Sequence, residues 1–262
     1  MDMLKGKVAL ITGSTQGLGL AMAERLAAEG CNVMLNGFGD AAAIETARRG
    51  LEERHGVRAS HHGADLADAG QVADLVTAAE RDLGAVDILI NNAVVRHFGP
   101  VETFRPEDWD RSLAVNLSSA FHTVRLALPG MRRRDFGRIV NISSVFGLFG
   151  ATDRVDYVTT KTALIGFTRA VALETAGQNI TCNAICPGSS PTPAIEQRFA
   201  EFMAKEGLPR AEAEAKFMAA RQPSGRFVAM ESVAALAAFL CGPGGRDITG
   251  TAIPIDGGWS AS

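Results

Sequence analysis

Apolar residues along this chain gather in short runs separated by longer stretches of helical periodicity. VALIT (8–12), CNVMLN (31–36), VDILINN (86–92), RIVNIS (138–143), NITCNAICP (179–187) and TAIPIDG (251–257) are apolar at successive positions. Strands covered on both faces read this way. Their alternation with helical segments predicts an α/β fold, a doubly wound parallel sheet built by right-handed crossovers with helices on both faces. Ligands of such sheets bind beyond the carboxyl ends of the strands. One long interruption, 187–227, follows the strand at 179–187 and predicts two short helices. Its position over the carboxyl edge makes it a candidate substrate lid. No repeat, low-complexity tract or linker divides the rest, so a single domain over 1–262 is expected.

Composition narrows the function classes. With 47% hydrophobic and 21% charged residues and a formal net charge of -3, a soluble globular protein is expected and affinity for nucleic acid is not. No uninterrupted apolar stretch approaches transmembrane length, and MDMLKGKVALITG runs directly into a glycine-rich turn, so neither membrane spanning nor export is expected. The four cysteines, Cys31, Cys182, Cys186 and Cys241, include no CxxC and no clustered histidines accompany them. Neither a metal site nor a disulfide framework is indicated, and a reducing cytoplasm fits.

Candidate chemistry begins in TGSTQGLG, Thr12 to Gly19, between the first strand and a helix. Gly13 permits a tight turn, Gly17 lets the backbone approach a pyrophosphate, Gly19 allows close helix packing, and the helix N-terminus faces the anion. The second strand ends in NGFGD, 36–40, where dinucleotide-binding folds inspect the adenosine ribose. A 2′-phosphate calls for a nearby arginine or lysine, and Gln16 and Phe38 supply neither, so NAD is favoured over NADP. No acidic residue stands at the strand's very end; Asp40 lies further along. In DRVDYVTTKTALIGF, 153–167, Tyr157 and Lys161 fall one helical turn apart on one face. An adjacent cation lowers a phenol's pKa of about 10 and turns a tyrosine into a proton carrier.

TGSTQGLG, the NNA of Asn91 to Ala93, Asn116 in AVNLSS, Ser144 in NISS, YVTTK and NAICPG (183–188) stand in one order, Ser144 thirteen residues before Tyr157. Together they resemble the short-chain dehydrogenase/reductase family across essentially the whole chain. Within it the sequence is most similar to the D-3-hydroxybutyrate dehydrogenases, through LNGFGDAA, GADL, ALETAGQNITCNAICPG, RQPS and DGGW. The resemblance implies a Rossmann-type fold, NAD, a homotetramer, and interconversion of a short anionic hydroxy acid with its keto acid. Tyr157 is then the proton donor or acceptor, Lys161 lowers its pKa and holds the nicotinamide ribose, Ser144 orients the reacting oxygen, and Asn116 supports a relay water. Family positions imply Thr15, Gln16 and Leu18 at the pyrophosphate turn, Phe38 near the adenosine ribose, and Asp65 and Leu66 near adenine. They further imply Asn92 near the second ribose and Ser190 and Thr192 near the nicotinamide amide. One departure is Val94, where the family has the glycine of NNAG.

Alignment to the resembled enzymes puts Arg96, Arg154 and Arg198 at the substrate, where those enzymes generally carry Gln, Lys and Gln, and Phe146 and Ser189 where they carry a histidine and a tryptophan. An arginine fork suits carboxylate or sulfonate oxygens. The expected substrate is therefore D-3-hydroxybutyrate or another anionic alcohol: a longer hydroxy acid, a dicarboxylate or a hydroxyalkyl sulfonate. A non-catalytic NAD(H) sensor is the alternative of another class, against which the intact Asn116, Ser144, Tyr157 and Lys161 set argues.

Overall fold

Strands β1 (Val8–Ile11), β2 (Asn32–Asn36), β3 (Ala59–His62), β4 (Ile88–Asn91), β5 (Gly137–Ile142), β6 (Ile180–Pro187) and β7 (Ala252–Ile255) form one parallel sheet in the order β3-β2-β1-β4-β5-β6-β7. The computed structural model describes residues 4–219 and 221–261. Helices α1 (Gly17–Ala28), α2 (Ala41–His55), α3 (Ala69–Leu83), α4 (Pro106–Leu113), α5 (Ser119–Arg134), α6 (Val155–Thr175), α7 (Pro193–Glu206), α8 (Arg210–Met218) and α9 (Met230–Cys241) make the crossovers and the 187–227 segment.

The continuous apolar runs have a simple cause. Successive strand residues point to opposite faces, and both faces are covered. In β1, Ala9 and Ile11 join the core shared with α1 and α9, while Val8 and Leu10 join that shared with α3 and α5. In β4, Ile88 and Ile90 serve the first core and Leu89 the second. Burying such a side chain contributes roughly 1.5–3 kcal/mol, and here residues on both faces of the strand make that contribution.

The expected doubly wound architecture is present, with one strand more than the six apolar runs. β3 reads ASHH, lies at the sheet edge and pairs only with β2. An edge strand half open to water tolerates polar residues that a central strand does not. Helix ends follow local chemistry: Asp40 caps α2 by accepting from Ala43 N at 2.8 Å, and Gly56 closes it at φ +65°. The 187–227 segment forms α7 and α8, as the sequence predicts; Ala220 within it lies outside the described residues. All four cysteines are buried free thiols, and no helix among the described residues is long and apolar enough to cross a membrane.

The strand order reverses between β1 and β4, and ligands of open α/β sheets bind in the crevice at that switch point. A buried polar chain stiffens the sheet beneath it. Thr123 Oγ1 donates to Asn91 Oδ1 at 2.8 Å, Asn91 Nδ2 to Asn141 Oδ1 at 2.8 Å, and Asn141 Nδ2 to Thr168 Oγ1 at 2.9 Å. These bonds tie β4 and β5 to α5 and to α6, the helix that carries Tyr157 and Lys161.

Candidate active site

A cavity of about 1000 Å³ opens above that crevice, running from the glycine turn to the 187–227 segment. The glycine turn is packed too tightly for side chains. A Cβ on Gly13 (φ +61°) would lie 2.8 Å from Ala93 Cα, and one on Gly19 would overlap the Gly13 carbonyl and reach 2.7 Å from Asn92 Nδ2. Gly17 (φ +57°) is different, for nothing comes nearer its Cβ position than Pro193 Cδ at 3.5 Å. Gln16 precedes α1 with no side-chain cap, so first-turn N–H groups stay available to an anion. Thr15 Oγ1 donates to Phe38 O at 3.0 Å and Gly13 N to Asn36 Oδ1 at 3.3 Å, pinning the turn to the end of β2.

The remaining expected nucleotide contacts separate into free and occupied groups. Phe38 is exposed, and Asp40 caps α2 through Oδ2 and does not border the cavity. Asp65 and Leu66 line the cavity; Arg111 donates to the Asp65 carboxylate at 2.9 Å and, with the Ala67 N–H, holds it below the usual carboxylate range. Asn92 spends its amide on Thr12 O and Gly13 O at 2.9 and 2.8 Å. Leu18 lines the cavity beside the glycine turn. Ser190 and Thr192 also line it, and their hydroxyl oxygens are buried without a hydrogen-bond partner among the described residues. Such groups are costly unless a ligand satisfies them. An uncapped helix N-terminus, an open glycine and two orphan hydroxyls fit a pyrophosphate at one end and an amide at the other.

Tyr157 and Lys161 lie on the buried face of α6, 5% and 2% exposed. Lys161 Nζ donates to Ile142 O at 2.7 Å and sits 5.6 Å from the Tyr157 ring centroid. Burial disfavours its charged form and lowers its pKa to about 8. For Tyr157, burial alone would raise the pKa, but the charges of Arg96 and Lys161 and hydrogen bonding with Ser144 and Arg96 outweigh it and hold the phenol below its ordinary value. Arg96 therefore contributes to lowering this pKa beside the lysine on which the sequence argument rests. Ser144, at the end of β5, accepts from Phe146 N at 3.2 Å. Asn116 stands in a π-helical turn, Ala114–Ser118, between α4 and α5. Its amide accepts from Val95 N at 2.8 Å and donates to Val95 O at 3.0 Å, fixing the loop that bears Val94 and Arg96.

The arginines expected at the substrate all border the cavity. Arg154 is boxed by aromatics: its guanidinium carbon lies 4.0 Å from the Phe98 centroid, 5.1 Å from Tyr157 and 5.8 Å from Phe146. Its Nη1 is buried with no hydrogen-bond partner among the described residues. Three further lining residues escaped sequence reasoning: Phe98, Arg221 and Trp259. Trp259 lies 5.3 Å from Phe146 and restores an aromatic wall that Ser189 does not supply. RQPS and DGGW contain Arg221 and Trp259, yet only tertiary packing brings those motifs to the cavity.

Comparison with known proteins follows the same lines. A family model described as short chain dehydrogenase matches residues 7–201. The chain is 46% identical to D-beta-hydroxybutyrate dehydrogenase of Cupriavidus necator, over 99% of this chain and 100% of that one. It is 41% identical to D-beta-hydroxybutyrate dehydrogenase of Rhizobium meliloti, over 97% and 99%. Among solved structures, L-sorbose reductase from Gluconobacter frateurii, complexed with NADPH and L-sorbose, matches with a TM-score of 0.93 at 31% identity, covering 100% of both chains.

Proposed function

Because the chain belongs to the short chain dehydrogenase family, and so is an oxidoreductase acting on a CH–OH group with a nicotinamide cofactor, we propose that it uses NAD and interconverts a short anionic hydroxy acid with its keto acid, D-3-hydroxybutyrate and acetoacetate being one such pair. The observation that carries the anion is Arg154, a partly buried guanidinium with an unpartnered Nη1 against the Tyr157 ring. A carboxylate satisfies it with paired, charge-assisted hydrogen bonds, whereas a neutral alcohol leaves it bare. NAD is supported by Asn36, Gly37, Phe38 and Gly39, which offer no cation to a 2′-phosphate.

When bound, the nicotinamide supplies the hydride acceptor or donor. During oxidation Tyr157 takes the hydroxyl proton and Ser144 orients the reacting oxygen by hydrogen bonding. Burial works against ionising the Tyr157 phenol, so lowering its pKa requires cations that outweigh desolvation. One ammonium is a weak source of that compensation; Arg96 and Lys161 act together in a cavity where Coulomb interactions exceed their values in water. Lys161 has N–H groups beyond its bond to Ile142 O for a ribose, and Asn116 holds the Val95 loop so that Arg96 faces the phenol. The 187–227 segment serves as the lid. A homotetramer is supported by large apolar side chains left exposed on three helices, Phe121, Leu173 and Phe239, and light scattering reads it.

The test is nicotinamide reduction with D- and L-3-hydroxybutyrate, each with NAD and with NADP. Highest kcat/KM for the D isomer with NAD is expected. Oxidation of neutral alcohols with none of hydroxy acids would refute the anion, and a preference for NADP would refute the cofactor.

A further inference from the structure

A monocarboxylate needs one cationic fork, yet Arg96, Arg154, Arg198 and Arg221 line this cavity together with a fifth arginine, Arg111. None of the four has an acidic partner in an ion pair among the described residues, whereas nearby Arg111 and Arg210 are paired with Asp65 and Glu196. Of the five glutamates in 187–227, three are engaged elsewhere and the other two, Glu201 and Glu212, do not line the cavity. Glu196 holds Arg210, Glu206 holds Lys216, and Glu214 accepts from Phe227 N. Of the two aspartates bordering the cavity, Asp65 is bound to Arg111, which leaves Asp153, an exposed residue at φ +57°.

By place in the fold the cations divide between the Tyr157 side and the 187–227 segment, with the charge of Arg198 acting on Arg154 as well as on Arg221. Arg154 and Arg96 flank Tyr157, 5.1 and 5.3 Å from its ring centroid. Arg198 belongs to α7 and Arg221 follows α8, where its guanidinium carbon lies 5.7 Å from the Phe217 ring centroid. Arg221 is half-buried, and burial first, then the charge of Arg198, lowers its pKa. Like charges gathered in a partly desolvated cleft are unfavourable until an anion joins them.

We infer that the cavity holds two anion subsites, Arg154 with Arg96 beside Tyr157 and Arg198 with Arg221 on the lid itself, so that the preferred substrate is a hydroxy acid bearing a second anionic group, a dicarboxylate being the simplest. This rests on the hydroxy-acid reading above and makes Arg221 a specificity-determining residue for it. The first carboxylate occupies the Arg154 fork while the carbinol faces Tyr157; the second holds the lid through Arg198 and Arg221.

The experiment compares kcat/KM for 3-hydroxyglutarate and D-3-hydroxybutyrate in the native chain, Arg221→Gln, Arg198→Gln and Arg221→Lys. The second carboxylate adds charge-assisted hydrogen bonds to Arg198 and Arg221, so a preference of about ten-fold or more for the dicarboxylate is expected. It should fall toward unity in both glutamine variants and be partly retained in Arg221→Lys. Calorimetric binding of glutarate against butyrate to the cofactor-loaded protein gives the same comparison without turnover. Turnover of D-3-hydroxybutyrate with 3-hydroxyglutarate no better, or a preference untouched by either glutamine variant, overturns the second subsite and leaves the proposed function standing. Turnover of 3-hydroxyglutarate alone supports the subsite and overturns D-3-hydroxybutyrate as substrate. Inactivity toward both overturns both.

Discussion

Replacing Arg96 by methionine should raise the pKa of Tyr157, and because Tyr157 is the chain's only tyrosine, the shift is directly readable. The Arg96 guanidinium carbon lies 5.3 Å from the ring centroid. At that separation a unit charge stabilises phenolate by about 3 kcal/mol at an effective permittivity of 20, and by about 0.8 kcal/mol in water. Arg96 is exposed, so solvent screening favours the lower part of that range, roughly 1–1.5 kcal/mol, or about one pH unit. Removing the cation withdraws support from the charged form, so the midpoint moves upward. Ultraviolet difference titration of phenolate follows it in the nucleotide-free protein without interference, since tryptophan does not titrate. The native midpoint is expected below 10, with Arg96→Met about one unit higher and the rising limb of kcat/KM for oxidation moving in parallel. A native midpoint at or above 10, or one indifferent to the substitution, refutes this account of how the tyrosine is activated.

Lys161→Met should stabilise the fold while abolishing turnover. Burial lowers the lysine's pKa from 10.5 to about 8, so folding penalises the ammonium fully below pH 8 and the penalty disappears as pH rises to 10.5. At pH 7 the shift corresponds to on the order of 3 kcal/mol, reduced by about 1 kcal/mol for the lost hydrogen bond to Ile142 O. Denaturant titration should show the variant about 2 kcal/mol more stable at pH 7, the difference shrinking between pH 8 and 10.5; a less stable variant at pH 7 contradicts this. Gly19→Ala places a methyl against the Gly13 carbonyl and 2.8 Å from Ser14 Cα, backbone that cannot turn aside. A loss of about 1–3 kcal/mol, with weakened nucleotide affinity by calorimetry, is expected, and native-like behaviour in both would show the glycine is dispensable.

What could be read from the sequence was local or periodic. The β1 run, apolar at every position, required two covered faces, and the spacing of Tyr157 and Lys161 required a shared helical face, both of which the fold displays. β3 was hidden because Ala59–His62 pairs along one edge only and needs no apolar run. Arg221 and Trp259 were hidden for a different reason: each is brought to the cavity by packing of segments far apart in the chain. The activation of Tyr157 was half legible. Its lysine is one turn away, but Arg96 approaches from the loop after β4, held there by an Asn116 amide whose engagement with Val95 no spacing reveals.

Proton transfer by Tyr157 to and from an anionic hydroxy acid is tested most directly by comparing Tyr157→Phe with the native chain, using NAD and D-3-hydroxybutyrate. General acid–base catalysis contributes about 10²–10⁴-fold. A loss of kcat of at least that order, with NAD affinity by calorimetry unchanged within about two-fold, is predicted. Turnover by Tyr157→Phe at the native rate would contradict it.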